Sequence, residues 1–138
     1  MRLVNMATSS LPVAPSNVSL GFPSPAQDHI ESDIDLNQFL IQHPSATFIA
    51  RAQGQSMRSC GIFDGAYLIV DRAVERTHNS IVVAALNGEF TCKILDLKNQ
   101  MLCPGDPTMK SIDFSEEMDL LIEGVVVAVI NKNLTGNL

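Results

Sequence analysis

Beyond residue 45, apolar and polar positions follow a two-residue rhythm broken at regular intervals by turn residues. In 46–53 (ATFIARAQ) the two kinds alternate, as they do in a strand with one buried face. The runs 66–71 (AYLIVD) and 80–86 (SIVVAAL) are short and continuously apolar, the pattern of buried strands. Asn87-Gly88 is a strong signal for a two-residue hairpin turn and leads into 89–97 (EFTCKILDL). Residues 101–106 (MLCPGD) and 120–132 (LLIEGVVVAVINK) complete the series. One segment has a different rhythm. In 28–44 (DHIESDIDLNQFLIQHP) the apolar residues Ile30, Ile34, Leu36, Phe39, Leu40 and Ile41 predict a short helix, capped by Asp33 or Asp35 and ended by Pro44. Short strands separated by Gly, Pro and Asp turns predict a mostly β fold, barrel-like or a pair of curved sheets. No internal repeat is present.

The first 28 residues read differently. They are rich in Ser, Pro, Asn and Ala, and Pro12, Pro15, Pro23 and Pro25 lack amide donors and resist helix. The expectation is a flexible N-terminal arm over 1–28 and a β-rich domain over 29–138. Within the arm, Val18, Leu20 and Phe22 alternate with Asn17, Ser19 and Gly21, a short strand pattern in an otherwise irregular tail.

Composition narrows the chemistry. A chain of 138 residues suits one domain with one core. The net charge of −6 and the scattered placing of Arg72 and Arg76 argue against tight electrostatic binding to nucleic acid, which needs a clustered basic surface. Cys60, Cys92 and Cys103 are odd in number and form no Cys-x-x-Cys, so reduced thiols in a reducing compartment are expected. His29, His43 and His78 are never at ligand spacing, and no zinc or other metal site is expected. No apolar run approaches the roughly 20 residues of a membrane span, and the N-terminus lacks the apolar core of a signal peptide.

Two residues stand out against this background. Ser56 lies in a Gly54-Gln55-Ser56-Met57 bend with a second turn, Phe63-Asp64-Gly65, close behind it. A Gly-x-Ser bend is an ordinary turn, or a device that exposes a nucleophilic hydroxyl. In 89–97 the period of two places Phe90, Cys92 and Ile94 on one face and Thr91, Lys93 and Leu95 on the other. Lys93 is thus a lysine in mid-strand between apolar residues. It either faces solvent or is held partly desolvated, in which case burial disfavours the ammonium and lowers its pKa from about 10.4. A neutral lysine amine is a general base able to take a serine proton. Together, 37 residues apart, Ser56 and Lys93 match the parts of a Ser-Lys hydrolytic dyad.

From Leu20 to Lys132 the chain resembles the UmuD-like members of the LexA-type self-cleaving peptidases. The resemblance is carried by GFPSPAQDHIESDIDLNQFLIQHPSAT, by GQSM followed by GIFDGAYLIVD, by NGEFTCK and by GVVVAVINK, in order and at family spacing. It implies the LexA and signal-peptidase-like fold of curved β sheets. It places the nucleophile on Ser56, the general base on Lys93 and the bond to be cut between Leu20 and Gly21. The backbone N–H groups of Ser56 and Met57 would stabilise the oxyanion, and the substrate would be the protein's own arm. It further implies a cytoplasmic homodimer without cofactor, triggered by a RecA filament on single-stranded DNA during the SOS response. The shortened form would join a UmuC-like Y-family polymerase subunit for translesion synthesis.

The resemblance also sets limits. LexA-type repressors carry a helix-turn-helix domain before the cut bond, whereas only about 20 Pro-rich residues precede Gly21 here, so direct sequence-specific DNA binding is not expected. Signal peptidases share a Ser-Met turn and a Ser-Lys pair but are membrane-anchored, and no anchor is read here. Two positions depart from the family pattern: Ala66, where relatives often have an acidic residue, and Leu20, where a small residue is usual. Leucine before the cut bond would crowd a site shaped for alanine or cysteine and slow the reaction. A rival reading keeps the fold and its contacts but not the cutting: a dimeric interaction module that binds polymerase.

Overall fold

The structure is a computed structural model that describes residues 10–14, 32–115 and 120–132. The chain divides into two compact units, Met1–Gln42 and His43–Leu138. Leu20 and Gly21, and the alternating Val18, Leu20 and Phe22, lie outside the described residues.

In the first unit, β1 (Ser10–Val13) pairs antiparallel with β2 (Ser32–Asp35), Leu11 opposite Ile34 and Pro12 opposite Asp33. A two-stranded pair consists only of edges, which is where a residue without an N–H is tolerated. The helix α1 (Leu36–Leu40) follows at once. Of the two candidate caps, Asp35 serves: its Oδ1 accepts from the N–H groups of Asn37 at 3.0 Å and Gln38 at 3.5 Å. Asp33 and Ile34 belong to the strand instead. The helix is also shorter than its apolar pattern suggested, because Ile41 is already extended (φ −119°, ψ 99°). Pro44 opens a separate 3-10 turn over Pro44–Ala46, using its fixed φ at the first position.

The second unit is one seven-stranded antiparallel sheet. Its strands are β3 (Thr47–Arg51), β4 (Tyr67–Asp71), β5 (Ile81–Leu86), β6 (Glu89–Asp96), β7 (Met101–Cys103), β8 (Ile112–Asp113) and β9 (Leu120–Ile130), in the spatial order β3-β4-β9-β5-β6-β7-β8. The long β9 pairs with β4 on one side and β5 on the other. Each pairing slips register once, between Ile69 and Val70 and between Val83 and Ala84, and such bulges bend a strand and increase its twist. Gly124 lies beside these bends. A Cβ there would stand 2.8 Å from Val70 Cγ1 and 3.0 Å from the Asp71 carbonyl oxygen, so only glycine lets β4 and β9 approach this closely.

The curved sheet is covered on both faces at its centre. Leu68 and Val70 of β4 and Val83 of β5 pack with Met57, Ile62 and Ala66, while Val82 and Ala84 of β5 pack with Leu95, Leu102 and Val125. Neighbouring residues of β5 thus enter different clusters. That is why 80–86 reads as continuously apolar while 46–53 alternates. The one charged side chain buried among the described residues is Asp71, 1% exposed at the end of β4. As a carboxylate it can only accept, so His43 Nδ1–H donates to its Oδ2 at 2.6 Å, and the Ala73 N–H donates to its Oδ1 at 2.8 Å. These bonds, the histidine's foremost, hold the Asp71 carboxyl below its usual range.

Candidate active site

The hairpin between β5 and β6 fixes where Lys93 falls. Asn87 (φ 51°) and Gly88 (φ 84°) both occupy the left-handed region, as a two-residue primed turn requires. The turn sets Leu86 opposite Glu89 and, counting back along the ladder, Val82 opposite Lys93. Cys92 and Ile94 pack on one cluster and Leu95 belongs to the other, as the alternation read from the sequence requires, but Thr91 and Lys93 line the same cleft as Phe90 and Cys92.

Ser56 lies in the loop between β3 and β4. The loop is closed at its base by two bonds at 2.8 Å, Ala52 N–H to the Ala66 carbonyl and Gly65 N–H to the Ala52 carbonyl. Asp64 reaches back across the loop and accepts the Gly54 N–H at 2.8 Å, which holds Gly54 in the left-handed conformation (φ 97°) two residues before Ser56. The Asp106 N–H donates to the Ser56 carbonyl at 3.0 Å from the far side. Next to Asp106, Gly105 presses on the turn: a Cβ there would lie 2.7 Å from Ser59 Oγ and 2.8 Å from Cys60 Sγ.

These two constructions meet. Lys93 Nζ donates to Ser56 Oγ at 3.0 Å, and both residues are half-buried. They line a cleft of about 400 Å³ whose apolar wall includes Ala50, Ala52, Met57, Ile62, Leu68 and Val83, with Phe90 and Thr91 also bordering it. Among the described residues, neither the Ser56 N–H nor the Met57 N–H has an acceptor, so both backbone donors are available beside the hydroxyl. Cys92 also lines the cleft, next to Lys93. Burial pushes its thiol up to about 11, against the smaller opposing pull of Lys93, so it stays protonated and unreactive at neutral pH. Among the described residues no three His, Cys, Asp or Glu side chains gather as a metal site, and no helix is long and apolar enough to cross a membrane.

The sequence-based candidates Ser56, Met57 and Lys93 are therefore brought together in one cleft, while Leu20 and Gly21 are not among the described residues. Ala66, noted as a departure from the family pattern, is 2% exposed in the cluster beneath the Ser56 loop. Sequence reasoning missed the supports of the turn. Asp64 and the Pro104-Gly105-Asp106 segment were legible only as turn residues.

Comparison with known proteins agrees with this construction. Residues 12–127 match the family described as Peptidase S24-like. The chain is 40% identical over 125 residues to Protein SamA of Salmonella typhimurium, covering 90% of this chain and 87% of that protein. It is 39% identical over 127 residues to Protein ImpA of Escherichia coli, covering 88% and 83%. It is 37% identical over 125 residues to the LexA repressor of Ectopseudomonas mendocina, covering 88% of this chain and 60% of the repressor. The chain belongs to the S24 peptidase family, with the UmuD-like and LexA-type serine peptidases that cleave themselves in the SOS response and its mutagenesis.

Proposed function

We propose that Ser56 and Lys93 form a Ser-Lys dyad that cuts the protein's own N-terminal arm, residues 1–28, between Leu20 and Gly21. The observation that carries this reading is the 3.0 Å separation of Lys93 Nζ and Ser56 Oγ in a cleft with an apolar wall, where the Ser56 and Met57 N–H groups have no acceptor among the described residues. In the reactive state the lysine is a neutral amine, and the hydrogen bond runs from the hydroxyl to its lone pair. As Ser56 Oγ attacks the Leu20 carbonyl carbon, its proton passes to Nζ. The oxyanion is received by the Ser56 and Met57 N–H groups. Lys93 then gives the proton to the departing amine of Gly21, and its Nζ, neutral again, takes a proton from a water that attacks the ester and releases the Leu20 carboxylate from Ser56. Because the substrate is tethered, the attack is intramolecular and needs little affinity of its own.

The shortened form is the accessory subunit of an error-prone Y-family polymerase of the UmuC kind, working in the cytoplasm as a homodimer. A RecA filament on single-stranded DNA favours the arm position from which cutting occurs, a shift of population rather than a change of chemistry. The names of the relatives and the family membership support this role.

The test is to incubate the purified full chain at alkaline pH and weigh the products. The expected result is two products, one ending at Leu20 and one beginning at Gly21. An intact chain, with and without the filament, would leave the non-cutting interaction module as the better reading. A cut at any other bond would overturn the assignment of Leu20 and Gly21.

A further inference from the structure

We propose that Asn131 is a positioning residue for Ser56, an inference that rests on the Ser-Lys reading above. Asn131 follows the end of β9 and is exposed, so it contributes little to either core. Yet its amide is used at both ends. Oδ1 accepts from the Phe63 N–H at 3.2 Å, and Nδ2 donates to the Gly61 carbonyl at 2.7 Å. Only this orientation of the amide satisfies both partners. The two bonds join residues 68 and 70 positions apart in the chain and bracket a single residue, Ile62.

Ile62 is the link to the site. Its side chain is 2% exposed and packs in the same cluster as Met57, which is 4% exposed. Its N–H donates to the Met57 carbonyl at 3.2 Å, and the Cys60 N–H donates to that carbonyl at 3.0 Å. The amide of Asn131 therefore holds the backbone on both sides of Ile62. Ile62 in turn holds the residue whose N–H stands beside Ser56. Gly61, in the left-handed region at φ 82°, is the flexible point of this segment, and one of the two bonds fastens it. Without the clamp, Gly61–Phe63 loses two of its restraints, and the register between the Ser56 hydroxyl, the Met57 N–H and Lys93 loosens with it. Displacements of about 1 Å in such an arrangement cost up to about 100-fold in rate.

The experiment follows self-cleavage of the full chain across the neutral to alkaline range, with thermal unfolding recorded on each protein. Asn131→Ala is expected to lower the alkaline plateau about tenfold at temperatures well below its Tm, while the pH of half-maximal rate stays where it is in the wild type. Asn131→Asp keeps an acceptor for the Phe63 N–H but sets a carboxylate oxygen against the Gly61 carbonyl, and it is expected to lose at least as much. A purely structural role would show a loss that tracks the unfolded fraction and disappears well below Tm. That result, unfolding of Asn131→Ala at the assay temperature, or cutting by both variants within twofold of the wild type overturns the inference alone. A wild-type chain that never cuts overturns the peptidase reading and this inference with it.

Discussion

Ser56 and Lys93, the two residues of the proposed dyad, are held in place by different physics. Lys93 sits in a ladder: β6 pairs with β5 and β7, the Asn87-Gly88 turn fixes the register, and Leu95 two residues on is wholly buried. Its position is set by hydrophobic burial and cooperative backbone pairing. Ser56 sits on a loop whose Met57 and Ile62 enter the core, and the loop is tied further by hydrogen bonds through Asp64 within it and through Asp106 and Asn131 from more distant segments. A base built into the sheet is costly to displace without unfolding the protein. A serine on a loop that depends partly on polar contacts can be shifted while the sheet stays intact. Changes beneath the sheet should therefore act on stability, and changes around the loop on rate.

The largest effect tests whether both halves are needed at all. Ser56→Ala removes the proposed nucleophile and Lys93→Ala the proposed base, and each is expected to lower cleavage by about a thousandfold or more, to the limit of detection. Lys98→Ala, which changes an exposed lysine in the turn between β6 and β7, should cut at the wild-type rate. All three should stay folded, with stability within about 1 kcal/mol of the wild type, since none removes a large apolar contact. Intact-mass time courses and thermal unfolding, run side by side, check this.

A pair of glycines separates the two regions directly. Gly105→Ala pushes a methyl group into Ser59 and Cys60 on the Ser56 turn and should slow cleavage about tenfold with a small loss of stability. Gly124→Ala drives one into Val70 and the Asp71 backbone under the sheet and should cost about 1–3 kcal/mol of stability. Its cleavage rate, measured well below Tm, should stay within about twofold of the wild type. If the two variants exchange these phenotypes, the division between loop and sheet is wrong.

A smaller effect concerns Asp71. Its carboxyl is held below the usual range, chiefly by His43, so the folded state favours the carboxylate. The resulting stability is present at neutral pH and is lost as the pH falls through the folded value, below about 4. Asp71→Asn should lower Tm at neutral pH, and the difference from the wild type should shrink on acidification below about 4. The rate of cutting at alkaline pH, well below Tm, should not change.

The same contrast explains what the sequence made legible. β5 and β6 were readable because their signals are local: an Asn-Gly turn flanked by apolar strands leaves little choice of pairing. Lys93 stood out because it breaks an apolar pattern, and Ser56 because glycines surround it. The pairing of β4 with β9 joins segments more than 50 residues apart and has no local signature. The split role of 28–44 was missed for a related reason: Ile34 fits a helical rhythm, but Ser32–Asp35 is drawn into a strand by its partner Ser10–Val13. The supports of Ser56 are the extreme case. A hydrogen bond from Asn131 to Gly61 depends on where two distant backbones come to rest, and no spacing along the chain announces it.

The most direct test of the claim that Lys93 withdraws the proton of Ser56 is the pH–rate profile of cutting at Leu20-Gly21, with folding followed by circular dichroism at each pH. The rate should rise from neutral to alkaline pH, and Lys93→Ala should stay at background throughout. A Lys93→Ala protein that cuts at Leu20-Gly21 at the wild-type rate, or a wild-type rate that is flat or falls from neutral to alkaline pH while the protein stays folded, would contradict it.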